Sequence, residues 1–250
     1  MEPFMKVTQS AKEKTKAKIL AEAVNLIIEK GFKSASMREM AKNAGVSNPT
    51  IYNYFPNKEK ILYAYVEQKH KETAQILQDI EDFHTYTLRE QLQTLIETEL
   101  ELYLEDREFI IQIADMVFQS GGFKLDLLYD SNAMFREMVS DMLSIAIEAE
   151  EIPNPPFEEH LPRLFWDYYI MVVAYWVKDD SEMFENTTLF IDHSLGVIEA
   201  LLQSSILNRA NDLGMFLFKT HLLSALERFS VKKSGFSKIK RKFGEVFNDK

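Results

Sequence analysis

The stretch Ser36–Phe55, SMREMAKNAGVSNPTIYNYF, leaves this chain few ways to fold. Ser36 followed by Glu39 has the form of a capping box, in which the hydroxyl takes a free backbone N–H and the carboxylate reaches back to the cap. It predicts a short helix from Met37. Met40, Ala41 and Ala44 share one side of that helix. Gly45 then ends it, because glycine adopts the left-handed backbone of a helix stop without a Cβ penalty. Val46 is apolar, Ser47 can cap a second helix, and Pro49 suits its first turn. Ile51 and Tyr54 are spaced to face the first helix, and the small Ala41 lets the two cross closely. Two short helices at a steep angle, joined by a glycine-containing turn, make a helix-turn-helix. Its second helix would present Asn48, Thr50, Tyr52 and Asn53 to a DNA major groove. A plain helical hairpin inside an all-α core fits the same pattern.

The wider run Ile19–Leu62 separates these readings by resemblance. KAKILAEAVNLIIEKGFKSASMREMAKNAGVS (Lys16–Ser47) and TIYNYFPNKEKIL (Thr50–Leu62) resemble the N-terminal domain of the TetR family of bacterial transcription regulators. The second piece is the more specific, an aromatic-rich helix followed by Phe-Pro-Asn-Lys-Glu. The resemblance implies a dimer on double-stranded operator DNA, and a small-molecule effector held in a helical body. It also implies that Lys58, at the start of the fourth helix, holds a phosphate. Its ammonium and the free N–H groups of a helix N-terminus both favour an anion.

Charge bears on this reading through its distribution. The net charge of −10 over 250 residues argues against nucleic acid when taken alone. Residues 11–60, however, hold ten Lys/Arg against five Asp/Glu, whereas residues 61–227 hold ten against thirty-one. Residues 228–250 are basic again, with eight against two. A basic head on an acidic body suits a protein that sets one end on phosphates. With 46% apolar residues the chain can bury a substantial core. The lack of cysteine excludes disulfides and thiolate metal sites. No signal-peptide core or membrane-length apolar run occurs, so a cytoplasmic protein with no membrane partner is expected.

The remaining chain reads as successive helices, and the expected fold is all-α. Residues 1–10 are expected as an arm, 11–56 as the helix-turn-helix domain, 57–204 as a ligand-binding and dimerisation body, and 205–250 as an extension. Asn57 caps a helix from Lys58 to about Gln78. Thr87 and Glu90 form another capping box. Further helices are expected over 107–119, 132–150, 158–177, 182–203 and 206–229, with a break at Gly121-Gly122 and a loop at Pro153–Pro156. In the basic tail, Phe236, Ile239, Phe243 and Phe247 share one face opposite the lysines and Arg241. That face suits a membrane, an acidic partner, nucleic acid or the protein itself.

No catalytic constellation, phosphate loop or metal-ligand spacing is present, so neither an enzyme nor a cofactor is expected. The five histidines, His70, His84, His160, His193 and His221, are scattered and read as surface or half-buried structural residues. For DNA, Asn48, Thr50, Tyr52, Asn53 and Tyr54 are expected at the groove, and Arg38, Ser47 and Lys58 on phosphates. Asn53 can pair with adenine and Thr50 can offer its methyl to thymine. Met116, Phe118, Phe135, Met138, Met142, Phe165, Tyr169 and Met171 could line a cavity for an apolar or amphipathic effector, and equally could be core. Trp166, Trp176, Phe190, Val197, Ile198 and Leu201 are expected at the homodimer interface. The function expected is a repressor released by that effector. Competing readings are a ligand-independent or activating regulator of the same build, and an all-α interaction module whose basic tail does the binding.

Overall fold

A computed structural model describes residues 9–119, 132–204 and 206–217; every described element is helical. The helices are α1 Gln9–Lys30, α2 Met37–Asn43, α3 Asn48–Tyr54, α4 Lys58–Asp79, α5 Leu88–Leu104 and α6 Arg107–Gln119. They continue with α7 Ala133–Glu148, α8 Leu161–Trp176, α9 Glu185–Gln203 and α10 Ile206–Leu217. The chain divides into two compact units, residues 1–151 with 157–199, and residues 152–156 with 200–250. The break at Gly121-Gly122, most of the N-terminal arm and the basic tail with Phe236, Ile239, Arg241, Phe243 and Phe247 lie outside the described residues.

Local sequence explains where these helices begin. Thr87 and Glu90 complete the expected box: the Thr87 N–H donates to Glu90 Oε2 at 2.8 Å, and the Glu90 N–H to Thr87 Oγ1 at 3.3 Å. Asn57 Oδ1 accepts the Lys60 N–H at 2.9 Å to open α4. The helix foreseen from Asn132 starts one residue later. Those foreseen from Glu158 and Glu182 open as short 3₁₀ turns, 158–160 and 182–184, before α8 and α9 begin. At both turns a non-glycine residue adopts positive φ, Phe157 at +63° and Met183 at +52°, which interrupts the α-helical hydrogen-bond ladder.

In the first unit, α1 packs on α2, α4 and α6, while α4 packs on α5 and α7, and α7 on α8. The core of the body comes from Leu92, Leu95 and Ile96 of α5, Phe135, Val139 and Met142 of α7, and Phe165, Tyr169 and Val172 of α8. Each such side chain, removed from water, contributes about 1.5–3 kcal/mol.

The inward stripe of α8 also takes Trp166 and Trp176, both buried. This overturns their expected place at the dimer surface: they follow Pro162, Tyr169 and Val172 at helical spacing and so face the core. Met171 lies on the opposite side of the same helix and is 51% exposed, so it does not line an interior cavity. The helix is apolar on two faces, and the spacing alone did not say which face was inside.

Candidate nucleic-acid interface

The geometry of the helix-turn-helix follows from its caps. Ser36 Oγ accepts the Glu39 N–H at 3.2 Å and donates to Glu39 Oε2 at 3.0 Å. Glu39 also takes the ammonium of Lys30 at 2.8 Å. The bonds from Lys30 and then Ser36 hold its carboxyl below the usual glutamate range. At the far end of α2, Gly45 adopts φ +66°; its N–H reaches Lys42 O at 3.1 Å and the Val46 N–H reaches Ala41 O at 2.9 Å. Both bonds of a Schellman stop are present. Beside the turn lies Lys18 Nζ, 3.5 Å from where a Gly45 Cβ would stand.

Ser47 opens α3 by accepting the Thr50 N–H at 3.3 Å, and its hydroxyl lies 2.7 Å from the Thr50 hydroxyl. Ile51 and Phe55 are buried, which fixes the rotation of the helix. The opposite face carries Asn48, Asn53 and Tyr52, all exposed, with Tyr52 at 51%. Tyr54, spaced to face α2 and also expected at the groove, is half-buried. Thr50 is half-buried with its hydroxyl taken up by Ser47, while Arg38 and Ser47 are exposed on the same head.

Lys58 is placed differently from its expected phosphate contact. Its Nζ donates to the carbonyls of Phe32 at 2.5 Å, Ala35 at 2.9 Å and Lys33 at 3.3 Å, and sits 4.6 Å from the centre of the Phe32 ring. An ammonium has three donors, and all three are used. Lys58 therefore ties the start of α4 to the loop between α1 and α2. From the other side, Gln112 Oε1 on α6 accepts the Phe32 N–H at 3.0 Å. Tyr65 of α4 donates to Asp106 Oδ2 at 3.0 Å, just ahead of α6. Burial, then the Asp106 carboxylate, push the Tyr65 phenol far up.

Within the body, the residues expected to line a cavity separate. Phe135, Met142, Phe165 and Tyr169 are buried core, and the side chains of Met116 and Phe118 lie outside the described residues. Met138 and Met142 do line a cleft of about 320 Å³, together with Ala74, Leu77 and Gln78 of α4, Ile80, Phe83, His84, Gln91, Asp141 and Ile145. Its walls are mostly apolar, with Gln78, His84, Gln91 and Asp141 as the polar part.

The sequence reading missed one pair altogether. His70 of α4 and Glu99 of α5 are both 0% exposed, with His70 Nδ1 2.6 Å from Glu99 Oε1. Tyr169 donates to Glu99 Oε2 at 3.3 Å. Burial above all, then the neighbouring charge of Glu99, keep the Tyr103 phenol protonated; burial does the same for Tyr169. His70 is also ringed by Phe135, Trp166 and Tyr169, at 5.8, 5.6 and 6.2 Å between centroids. The signal was available: on α4, His70 falls between Val66, Thr73 and Leu77 on the buried stripe.

A glycine-turned helix pair with an exposed polar outer face, rooted on a helical body, defines a helix-turn-helix DNA-binding transcription regulator. Residues 19–65 match the family described as "Bacterial regulatory proteins, tetR family", and residues 91–217 match "Tetracyclin repressor-like, C-terminal domain". The chain belongs to the TetR family. Among its relatives, the transcriptional regulator LuxR of Vibrio harveyi is 23% identical over 72% of this chain and 88% of its own length. The fatty acid metabolism regulator protein of Bacillus subtilis is 26% identical over 66% and 84%. Among solved structures, FadR of Bacillus subtilis in complex with stearoyl-CoA superposes with a TM-score of 0.55 at 23% identity, covering 76% of this chain and 98% of its own. FadR of Thermus thermophilus in complex with lauroyl-CoA gives 0.54 at 18%, covering 72% and 92%.

Proposed function

We propose that the protein is a dimeric repressor that binds a near-palindromic operator through α3 and releases it when an apolar or amphipathic molecule enters the body. Residues 11–56 serve as the reading head and 57–204 as the effector-binding and dimerisation body. Asn48, Tyr52 and Asn53 read base edges, Thr50 offers its methyl, and Arg38, Ser47 and the Tyr54 hydroxyl hold phosphates. Lys58 takes no part in the contact and instead positions the head. The observation that carries the reading is the outward face of α3, where Asn48, Tyr52 and Asn53 are exposed while Ile51 is buried on the opposite side.

One head makes too few contacts for specific binding, so two are needed on a two-fold site. The surface offered for pairing is the outer side of α8 and α9, where Tyr175, Leu189 and Val197 are exposed and Phe190 and Ile198 half-exposed. Leu201, further along α9, is exposed as well. The cleft between α4 and α7 supports an effector of mixed character, and the structurally similar FadR proteins were solved with acyl-CoA molecules. Movement of α4 or α6 would reach the head through Lys58 and Gln112, which grip the same loop.

Sequence selection with the purified full chain tests this. A two-fold motif bound by wild type, and lost with Tyr52→Ala and Asn53→Ala at unchanged thermal stability, is expected. Enrichment of no sequence, or a motif indifferent to both substitutions, removes the reading.

A further inference from the structure

Two buried atoms of α4, Nε2 of His70 and Oγ1 of Thr73, have no hydrogen-bond partner among the described residues. They sit three residues apart on one helix, so they share a face. Leaving such groups unpaired is unfavourable, and a native interior keeps few of them. Glu99 occupies the other ring nitrogen of His70, which turns Nε2 away from α5.

Neither side chain lines the cleft, but Thr73 directly precedes Ala74, which does, and His70 lies one turn before it on α4. On α4, the cleft takes Ala74, Leu77 and Gln78; on α7, it takes Met138, Asp141, Met142 and Ile145. One turn nearer both N-termini, His70 on α4 faces Phe135 on α7, ring centroids 5.8 Å apart. The two helices therefore run in the same direction along the cleft. Phe135 lies one turn before Met138 on α7, and Thr73 and His70 precede Leu77 on α4, so all three are buried one turn beyond the cleft's lining on these helices. Gln78, His84, Gln91 and Asp141 supply the polar side chains of the cleft lining itself.

We propose that the effector enters hydroxyl-first along α4 and α7, displaces the Phe135 ring, and hydrogen-bonds His70 Nε2 and Thr73 Oγ1 through a neutral hydroxyl at the end of an aliphatic chain. This rests on the effector-responsive regulator reading above and names the class of effector. A hydroxyl both donates and accepts, which suits a ring nitrogen beside a threonine hydroxyl. A carboxylate suits it poorly. Placed there it would lie close to Glu99, shut off from water, where like charges repel strongly. A plain methyl end would leave both polar atoms unpaired. Because His70 and Thr73 lie on the helix that carries Lys58, an occupant wedged between α4 and α7 acts on the helix that holds the head.

The test uses the full-length protein titrated calorimetrically with 1-decanol, decanoate and decane, with tryptophan emission followed in parallel because Trp166 stands 5.6 Å from His70. Decanol is expected to bind about tenfold or more tighter than either, and Thr73→Val to weaken decanol about tenfold while leaving decane unchanged. Thr73→Val removes an unpaired buried hydroxyl without changing shape, so it is expected to keep or raise the melting temperature. Equal binding of the three chains, no binding of decanol, or a Thr73→Val variant that binds decanol as wild type does would overturn the proposal. Binding of a selected operator, measured on the same samples without ligand, separates the two claims. If it persists while decanol shows no preference, only the effector class fails; if no operator is bound, the regulator reading falls with it.

Discussion

Lys58 Nζ stands 2.9 Å from the carbonyl oxygen of Ala35, with the carbonyls of Phe32 and Lys33 taking its other two protons. The side chain closes the loop that leads into α2, so its charge is turned inward rather than toward DNA. Lys58→Met is therefore expected to lower stability by about 1–3 kcal/mol, the range for lost hydrogen bonds to a charged group. It should also speed amide exchange at residues 31–36. Operator affinity will fall because the head is loosened, while the slope of log affinity against log salt stays at the wild-type value. A slope flatter by about one unit would show a lost phosphate contact instead.

Arg38 provides the contrast. It is exposed on α2, and no described residue hydrogen-bonds or ion-pairs with its guanidinium. Arg38→Ala is expected to leave the melting temperature within error and weaken all DNA sequences alike, flattening the salt slope by about one unit. A changed base preference in a selection experiment would move Arg38 from the phosphates to the groove.

The pairing surface can be tested without disturbing the core. Val197 is 61% exposed, so Val197→Glu buries no charge in a lone chain. In a dimer it would place two carboxylates across a two-fold axis. The expected result is a folded monomer by sedimentation, with operator affinity reduced about a thousandfold or more toward the non-specific level. Trp176→Ala, by contrast, should cost about 3–5 kcal/mol of stability, because that ring is buried. A Val197→Glu protein that stays dimeric would place the interface elsewhere.

The head was legible in the sequence because its geometry is local. Ser36, Gly45 and Ser47 each act on residues within a few positions, and each does in the structure what its type suggests. The body was legible as helices but not as a site. Which face of α8 is inside depends on α5 and α7, residues far away in the chain, so Trp166 and Met171 were assigned to the wrong sides. His70 and Glu99 are separated by twenty-nine positions, and their meeting is a property of the packing between α4 and α5. Glu99 lies among Leu95, Ile96, Leu100 and Tyr103 on a stripe whose other members are buried, and a charge in that position was the readable clue. The role of Lys58 was missed for the same reason, since its partners lie more than twenty residues away.

The turn before α9 offers a prediction in pH. Asp179 is buried at the end of that turn; it accepts the Thr187 N–H at 2.8 Å and hydroxyl at 2.6 Å, and the Ser181 N–H at 3.0 Å and hydroxyl at 2.7 Å. Burial works against its ionisation, but the bonds from Thr187 and then Ser181 prevail and hold its carboxyl well below the usual aspartate range. Opposite it, Arg107 of α6 caps the end of α8 through the carbonyls of Trp176, Val177 and Asp179. A depressed folded-state value means the stabilisation is complete above the unfolded aspartate value of about 4 and is lost as pH falls through the folded value. Asp179→Asn is thus expected to lose about 1–2 kcal/mol near pH 7, a typical figure for a helix-capping carboxylate. The gap should narrow as urea unfolding is repeated at pH values progressively below about 4. A difference that stays constant from neutral to strongly acidic pH would mean that shape, not charge, makes Asp179 the keystone of this turn.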